Sequence, residues 1–232
     1  MMQKFKIEDL ECVLARANAG VGAKSAGRTV YMIYPMLVEM SDTWIQEMAD
    51  TYGADIVMVY VPAADWNNYL TPWPEPGETS DSPPFGGGAE AFRHTLESKV
   101  VAEVEKITGP KDAECRYLVG VSLSGLYTLW QWMQSEVFGS IGCLSGSFWY
   151  EGFMEWFSGV SVPDKKGKAY FLLGTAEPHA HIKAYRSVGV NTEAVVARLK
   201  KAGIAAEFEW VPGNHFSDPV GRAERALKHL LA

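Results

Sequence analysis

The chain has 232 residues, of which 47% are hydrophobic and 21% are charged, the profile of one globular domain rather than two. Its formal charge of −7 argues against nucleic acid or an anionic membrane as a partner, because both require a basic surface. The densest basic segment, Lys165, Lys166 and Lys168, is interpreted as a solvated turn.

The N-terminus and the cysteines indicate a cytoplasmic protein. Residues 1–6 lead into acidic residues instead of an apolar signal core, and no apolar run approaches the ~18 residues of a membrane span. The three cysteines lack C-x-x-C spacing, and Cys115 and Cys143 lie in apolar runs, which predicts buried free thiols. The oligomeric state stays open, with a homodimer as one option.

Short apolar runs alternate with helical patterns, which predicts an α/β fold with a mostly parallel central sheet and helices on both faces. We expect residues 1–232 to form one domain, with one or two antiparallel edge strands between Phe5 and Ala15. The central strands are predicted at Thr29–Tyr34, Ile56–Val61, Tyr117–Val119, Ile141–Leu144, Ala169–Leu173 and Ala206–Val211.

Capping residues and proline positions predict the main helices. They run from Ser41 as the cap to about Tyr52, from Ala89 to Ile107, from near Leu126 onwards, and from Asp218-Pro219 to Leu231.

The segment from Pro62 to Gly88 does not fit this alternation, and it holds six of the chain's twelve prolines. Long structured loops in compact domains are usually functional, and the aromatic residues in this segment argue against disorder. We therefore predict that it forms an ordered wall over the active site.

A candidate nucleophile lies where a strand turns into a helix. The run G-V-S-L-S at residues 120–124 has the pattern small-x-nucleophile-x-small, in which small residues allow a tight turn that lifts the serine hydroxyl clear of the sheet. The N-terminus of the following helix offers free N–H groups to developing negative charge. Ser122 is therefore the predicted nucleophile. Ser124 is the weaker candidate, because Leu126 two residues on is too large for the crowded turn.

The predicted acid and base follow later strands, in the chain order serine, acid, histidine. His215 lies in the loop between the last strand and the last helix. Glu177 is the carboxylate at the C-terminal end of the strand Ala169–Leu173, whereas Asp164 precedes that strand and Glu193 lies in the next helix.

His179 and His181 lie beside Glu177 and would face the same way on extended backbone, which raises the question of a metal site. No fourth ligand is evident nearby, and no cysteine is positioned to help. We therefore expect no metal and no other cofactor, and we expect these histidines to line the pocket or face solvent.

From about Thr29 to its C-terminus the chain resembles the esterase D and enterochelin-esterase-like branch of the α/β-hydrolase superfamily. The resemblance implies an α/β-hydrolase fold and hydrolysis of acyl esters by a serine, an acid and a histidine, without a cofactor. The elbow and the histidine loop are common to the superfamily, and the aromatic and Gly-rich blocks point to the branch. The motifs that carry the resemblance are Trp66–Trp73, Phe85–Glu90, Gly120–Gly125, Ser145–Trp149 and Gly213–Phe216.

Two positions depart from the family pattern. Members commonly carry His-Gly after the first central strand, where a backbone N–H completes the oxyanion hole; here residues 34–37 read Y-P-M-L. Because Pro35 cannot donate, the N–H of Met36 or Leu37 is the predicted second donor, beside that of Leu123. Glu177 stands where Asp is commoner.

These residues predict a serine esterase acting on a small-molecule ester, in which Ser122 attacks, His215 accepts its proton and Glu177 orients His215. Thioesterase, peptidase or acyltransferase activity would use the same residues. A non-catalytic binding module on a hydrolase fold is the alternative of a different class. No large cap domain fits between the later strands, so aromatic side chains are expected to bind the substrate: Trp66, Tyr69, Trp73, Phe148 and Trp149.

Overall fold

Eight strands form one sheet at the centre of the computed structural model, which describes residues 2–18, 27–38 and 40–232. Two further short strands pair with each other outside it. In chain order the strands are β1 (Met2–Ile7), β2 (Leu10–Ala15), β3 (Thr29–Pro35), β4 (Asp55–Val61), the short β5 (Pro74–Glu75) and β6 (Phe85–Gly86), β7 (Arg116–Val121), β8 (Ser140–Leu144), β9 (Lys168–Gly174) and β10 (Ala205–Val211).

The large sheet has the order β1-β2-β4-β3-β7-β8-β9-β10. The six strands from β4 to β10 in this order are parallel, and β2 and β1 extend the sheet in antiparallel pairs. The predicted fold class is confirmed, and each central strand lies within two residues of its predicted bounds. The first edge strand starts earlier than predicted, at Met2, because its alternating, half-exposed residues form no apolar run.

Helices cover both faces of the sheet, as predicted. Helices α1 and α8 share one apolar core with one face, and the remaining long helices share a second core with the other. No helix among the described residues has the length and apolar character needed to cross a membrane. The helices are α1 (Asp42–Tyr52), α2 (Trp66–Tyr69), α3 (Ala89–Thr95), α4 (Ala102–Thr108), α5 (Leu123–Gln134), α6 (Phe153–Gly159), α7 (Val188–Lys201) and α8 (Pro219–Leu231).

Two helix predictions are corrected. The long helix predicted from Ala89 to Ile107 is interrupted by a π-helical segment, Leu96–Val101, which joins α3 to α4. Helix α5 begins at Leu123 rather than near Leu126, because the chain turns from strand to helix within the single residue before it. The predicted caps are confirmed: Ser41 accepts a hydrogen bond in the first turn of α1, and Asp218 does so in α8.

Two predictions about single side chains are also corrected. Lys165 is buried, because its ammonium group donates to the carbonyl oxygens of Ser135 and Phe138 and lies over the ring of Trp132. Burial lowers the pKa of this lysine, although the carboxylate of Glu136 opposes the effect. Cys115 is only half-buried, since the strand it was assigned to starts one residue later; Cys143 is buried as predicted.

The parallel register brings the carboxyl ends of neighbouring strands to one edge of the sheet. Four adjacent strands, β7, β8, β9 and β10, are followed there by Ser122, Ser145, Glu177 and His215. Ligands of open α/β sheets bind at this edge, near the point where the strand order reverses, which here lies between β3 and β7.

Position 120 requires glycine, because the elbow leaves no space for a side chain there. A Cβ atom at this position would clash with the backbone carbonyl of Ser124 and with the side chain of Thr128. The absence of a side chain therefore lets α5 start directly at the end of β7.

The substitution Gly120→Ala should destabilise the protein, because the added methyl group meets backbone that cannot swing away. We expect the free energy of unfolding, measured by denaturant titration, to fall by about 1–3 kcal/mol, the usual cost of overpacking. The control Gly159→Ala, at the end of α6, adds a methyl group with nothing within 4 Å. It should change stability by less than about 0.5 kcal/mol. Equal losses in the two variants would contradict the tight elbow.

Candidate active site

Ser122 occupies the turn between β7 and α5 in a backbone conformation that is rare for a residue with a side chain. Its φ and ψ are 59° and −124°. Such a conformation costs about 1–3 kcal/mol and persists only where the surrounding structure enforces it. Here the Ser122 N–H donates to Leu144 O at 2.9 Å, and its carbonyl accepts from the N–H groups of Leu126 and Ser147, each at 3.1 Å.

Ser124 has a structural environment. Its hydroxyl is buried, accepts from the N–H of Val121 at 2.7 Å, and lies 2.7 Å from the carbonyl oxygen of Ile33. These bonds tie the start of α5 to β7 and to the neighbouring strand β3. The Ser124 hydroxyl therefore has no access to a substrate in this conformation.

The structure brings together the three residues predicted as nucleophile, base and acid. His215 Nε2 lies 3.0 Å from Ser122 Oγ, and His215 Nδ1 lies 2.9 Å from Glu177 Oε2. Both distances lie within hydrogen-bond range. With the proton of the neutral imidazole on Nδ1, that N–H donates to Glu177, and Nε2 accepts from the serine hydroxyl.

Glu177 is only 6% exposed, yet the pKa of its carboxyl group is lower than its ordinary value. Burial by itself raises the pKa of its carboxyl group. Hydrogen bonds from His215 and Ser145, the charge of His215 and the N–H of Gly174 outweigh burial, so the pKa lies below its ordinary value of 4.5. The carboxylate is therefore ionised at neutral pH.

The backbone donors predicted for an oxyanion hole differ in their availability. Leu123 is the first residue of α5, where the N–H has no partner within the helix. The prediction of Met36 is corrected, because its N–H donates to Val61 O at 3.0 Å. The alternative, the N–H of Leu37, has no backbone partner among the described residues, and the Leu37 side chain is 82% exposed.

The predicted aromatic contacts are only partly supported. The prediction that Phe148 binds substrate is wrong, because its ring is 1% exposed and stacks on Phe153 in the core. Tyr69 stacks on Phe92, and its hydroxyl donates to Asp9 in the β1–β2 turn, towards the far edge of the sheet. Trp66 is half-buried against the same core. Phe148 therefore belongs to the core and Tyr69 to the contact with the β1–β2 turn, whereas substrate binding by Trp66 stays a prediction.

The Pro-rich segment, residues 62–88, contacts the loops that follow β8 and β9. The Trp73 indole donates to Glu151 O at 3.0 Å, and the Tyr150 hydroxyl donates to Trp73 O at 2.5 Å. Burial and the neighbouring Glu78 carboxylate raise the pKa of the Tyr185 hydroxyl. The segment therefore touches the loops that follow β8 and β9.

Trp149 and Tyr185 connect those two loops directly, with ring centroids 4.4 Å apart. Trp149 follows β8, is half-buried, and also packs against Phe85 of the Pro-rich segment at 6.2 Å. Of the five aromatic residues predicted to bind substrate, Trp149 has the position that best supports that role.

The sequence analysis assigned no role to three residues around the site. Arg222 and Ser145 contact the carboxylate of Glu177 from the interior of the protein. Phe216, directly after the histidine, packs its ring edge-on to His215 at 5.1 Å and is 87% exposed. A signal existed for Arg222: it is a charged residue on the face of α8 that carries Ala223, Ala226 and Leu227.

The site is open towards solvent. The segment between β8 and β9 carries one short helix and no cap domain. Two surface depressions, of about 680 and 370 Å³, contain none of the three residues Ser122, Glu177 and His215. His179 and His181 are exposed, and within the described residues no group of three or more candidate ligands is placed to hold a metal ion.

A mostly parallel sheet with a serine elbow after its central strand β7 defines the α/β-hydrolase class. Within that class, the model of the family named Esterase, described as "Putative esterase", matches residues 37–215. This is more than half of the chain, and the chain belongs to that family of ester hydrolases.

Comparison with individual proteins agrees with this assignment. The uncharacterized protein YbbA of Bacillus subtilis (strain 168) is 23% identical over 155 residues, which cover 66% of this chain and 62% of YbbA, less than two thirds of that relative. An IroE-like serine hydrolase from Shewanella oneidensis superposes with a TM-score of 0.77 at 16% identity, covering 100% of this chain and 80% of that one. The enterobactin and salmochelin hydrolase IroE gives 0.73 at 21% identity, covering 100% and 94%. The predicted fold and esterase group are confirmed.

The lowered pKa of Glu177 makes stability depend on pH in a defined direction. A carboxyl group whose pKa is lower in the folded state stabilises the protein fully above its ordinary value, here 4.5, and loses that contribution as the pH falls through the lowered value. Glu177→Gln should therefore lower the free energy of unfolding by about 3 kcal/mol at pH 7, since it breaks a buried ion pair. The difference in the free energy of unfolding between Glu177→Gln and the parent protein should narrow below pH 4.5.

Thermal and denaturant unfolding of both proteins between pH 7 and pH 3 would test this expectation. The control Glu103→Gln removes an exposed carboxylate that pairs with Lys106 on α4. It should cost less than about 1 kcal/mol at any pH. A difference for Glu177→Gln that stays constant with pH would contradict the assignment.

Proposed function

We propose that the chain hydrolyses carboxylic esters through an acyl-enzyme intermediate on Ser122, with His215 as the general base and Glu177 as the acid that orients it. The observation that carries the proposal is the continuous chain of contacts from Ser122 Oγ through both ring nitrogens of His215 to Glu177 Oε2. The strained elbow supports it, because it points a hydroxyl at a base instead of burying it.

In the first step Ser122 Oγ attacks the ester carbonyl carbon while its proton passes to His215 Nε2. Glu177 stabilises the imidazolium through the hydrogen bond to Nδ1. The carbonyl oxygen becomes an oxyanion, which the N–H groups of Leu123 and Leu37 would bind, each donor being worth roughly 3 kcal/mol. The imidazolium then protonates the leaving alkoxide, and the alcohol departs.

In the second step water replaces the alcohol. His215 takes a proton from the water while the water oxygen attacks the acyl carbon. The imidazolium then returns the proton to Ser122 Oγ as the carboxylic acid product leaves. Both halves use the same base and the same oxyanion donors, and no step requires a metal or a cofactor.

The open site favours esters larger than a cap domain would admit. Two of the neighbouring structures are named an IroE-like serine hydrolase and an enterobactin and salmochelin hydrolase, and we propose a substrate panel that includes the latter two compounds. The panel combines p-nitrophenyl esters of increasing acyl length with enterobactin and salmochelin, and kcat/KM is measured for each compound.

Replacing the proposed nucleophile should abolish hydrolysis without unfolding the protein. Ser122→Ala should lower kcat on p-nitrophenyl acetate by at least about a thousandfold, measured with EDTA present, and should lose labelling by a fluorophosphonate probe. Its melting temperature should not fall, because the only hydrogen bond of the half-buried hydroxyl among the described residues is the one with His215.

The matched control is Ser124→Ala in the same elbow. It loses buried hydrogen bonds, and so some stability, but should keep substantial activity and label normally. An active, labelled Ser122→Ala together with an inactive Ser124→Ala would show that the elbow register is wrong. Loss of activity in EDTA that a divalent ion restores would overturn the metal-free mechanism.

Trp149 is the proposed wall of the substrate site. Burying a ligand group against its ring is worth about 1–3 kcal/mol, so Trp149→Ala should lower kcat/KM by roughly ten- to a hundredfold. The comparison variant Trp132→Ala removes a fully buried ring of the core and should cost about 3–5 kcal/mol of stability. A large loss of melting temperature with unchanged kinetics for Trp149→Ala would place that ring in the core instead.

A further inference from the structure

Arg222 is a charged residue buried behind the site, on the face of α8 that packs against the sheet. It is 3% exposed. A buried guanidinium is tolerated only where it is paired and hydrogen-bonded. Its partners therefore indicate why the position carries an arginine while its helical neighbours on that face are apolar.

The guanidinium holds two separate segments of the site. Its Nη1 donates to Glu177 Oε1 at 3.0 Å and also contacts the hydroxyl of Ser145. Its Nη2 donates to the carbonyl oxygen of Asn214, the residue before His215, at 2.6 Å. One planar, rigid group thus fixes the acid loop after β9 and the histidine loop after β10 at a set distance from each other.

The carboxylate of Glu177 has an unequal set of partners on its two oxygens. Oε1 accepts from Ser145 Oγ at 2.6 Å, from Gly174 N at 2.7 Å and from Arg222. Oε2 is directed to His215. Ser145 reaches this position with a φ of 48°, which is uncommon for a residue with a side chain. The bonds to Oε1 therefore select the orientation in which Oε2 meets the imidazole.

We propose that Arg222 and Ser145 are positioning residues of the esterase reaction, acting on Ser122 only through Glu177 and the loop of His215. The inference rests on the proposed function, in which Ser122 is the nucleophile, His215 the base and Glu177 the acid.

The first test separates kcat from KM on p-nitrophenyl acetate. Arg222→Met should lower kcat by about ten- to a hundredfold, and Ser145→Ala by roughly three- to tenfold, with KM changed less than about threefold, because misplacing a catalytic group slows chemistry more than binding. The control Arg225→Met, on the same helix, breaks an exposed ion pair with Glu209 at 2.5 Å and should stay within about twofold of the parent protein.

The second test asks whether Arg222 acts through the acid. In a Glu177→Gln background, adding Arg222→Met should lower kcat by less than about threefold, since residues that share one interaction are not additive. Full additivity of the two losses would overturn the action of Arg222 through Glu177. So would unchanged kinetics in folded Arg222→Met, or an equal loss in Arg225→Met.

The third test is Arg222→Lys, which keeps the positive charge but cannot span Glu177, Ser145 and Asn214; it should lower kcat about tenfold with little change in KM. A kcat in folded Arg222→Lys equal to that of the parent protein would overturn the positioning role.

If Arg222→Met does not fold, Ser145→Ala and Arg222→Lys carry the first two tests, with melting temperatures confirming that they are folded. Failure of the proposed function has a different signature. It would appear as full activity in Ser122→Ala, whereas failure of the present inference leaves Ser122→Ala inactive and the Arg222 variants unaffected.

Discussion

The site depends on one constraint, the parallel register of four neighbouring strands, β7 to β10, whose carboxyl ends meet at one edge of the sheet. Ser122, Glu177 and His215 are distant in the chain, but each follows one of these strand ends, so the register brings their loops to the same edge of the sheet. A strained backbone conformation at Ser122 then places its hydroxyl against His215. Ser122 has a φ of 59°, and the conformation is held by backbone bonds to β8 and its following loop.

The two sides of the site have opposite physical character. On the inner side, the buried Glu177 carboxylate is surrounded by donors and a paired cation, where low dielectric strengthens each bond and makes a missing partner costly. On the outer side, Ser122 and His215 are half-buried and Leu37 is exposed. The inner network thus fixes the geometry, and the outer loops remain able to differ without disturbing it.

Much of this architecture could be predicted from the sequence, because continuous apolar runs identify buried parallel strands and the elbow requires small residues at fixed spacing. The parts that could not be predicted depend on tertiary contacts. The N–H of Met36 is occupied by Val61 of the adjacent strand, which no local pattern reveals. Phe148 follows a strand end as a binding residue would, yet its ring belongs to the core. Arg222 is recognisable in the sequence as a charged residue within an apolar stripe of helix α8, but its partners lie in two other loops and could not be predicted.

The exposure of Phe216 beside His215 has a consequence for how the site becomes dry. Without a cap domain, water remains around the base until a ligand arrives, and electrostatic stabilisation of an oxyanion is weak in water. An ester whose apolar part covers Phe216 would expel that water itself, so the bound substrate would close the site. Each additional buried methylene group contributes about 0.8 kcal/mol to such closure. Selection among esters would then arise from how well each one seals the opening, rather than from the fit of a preformed cavity.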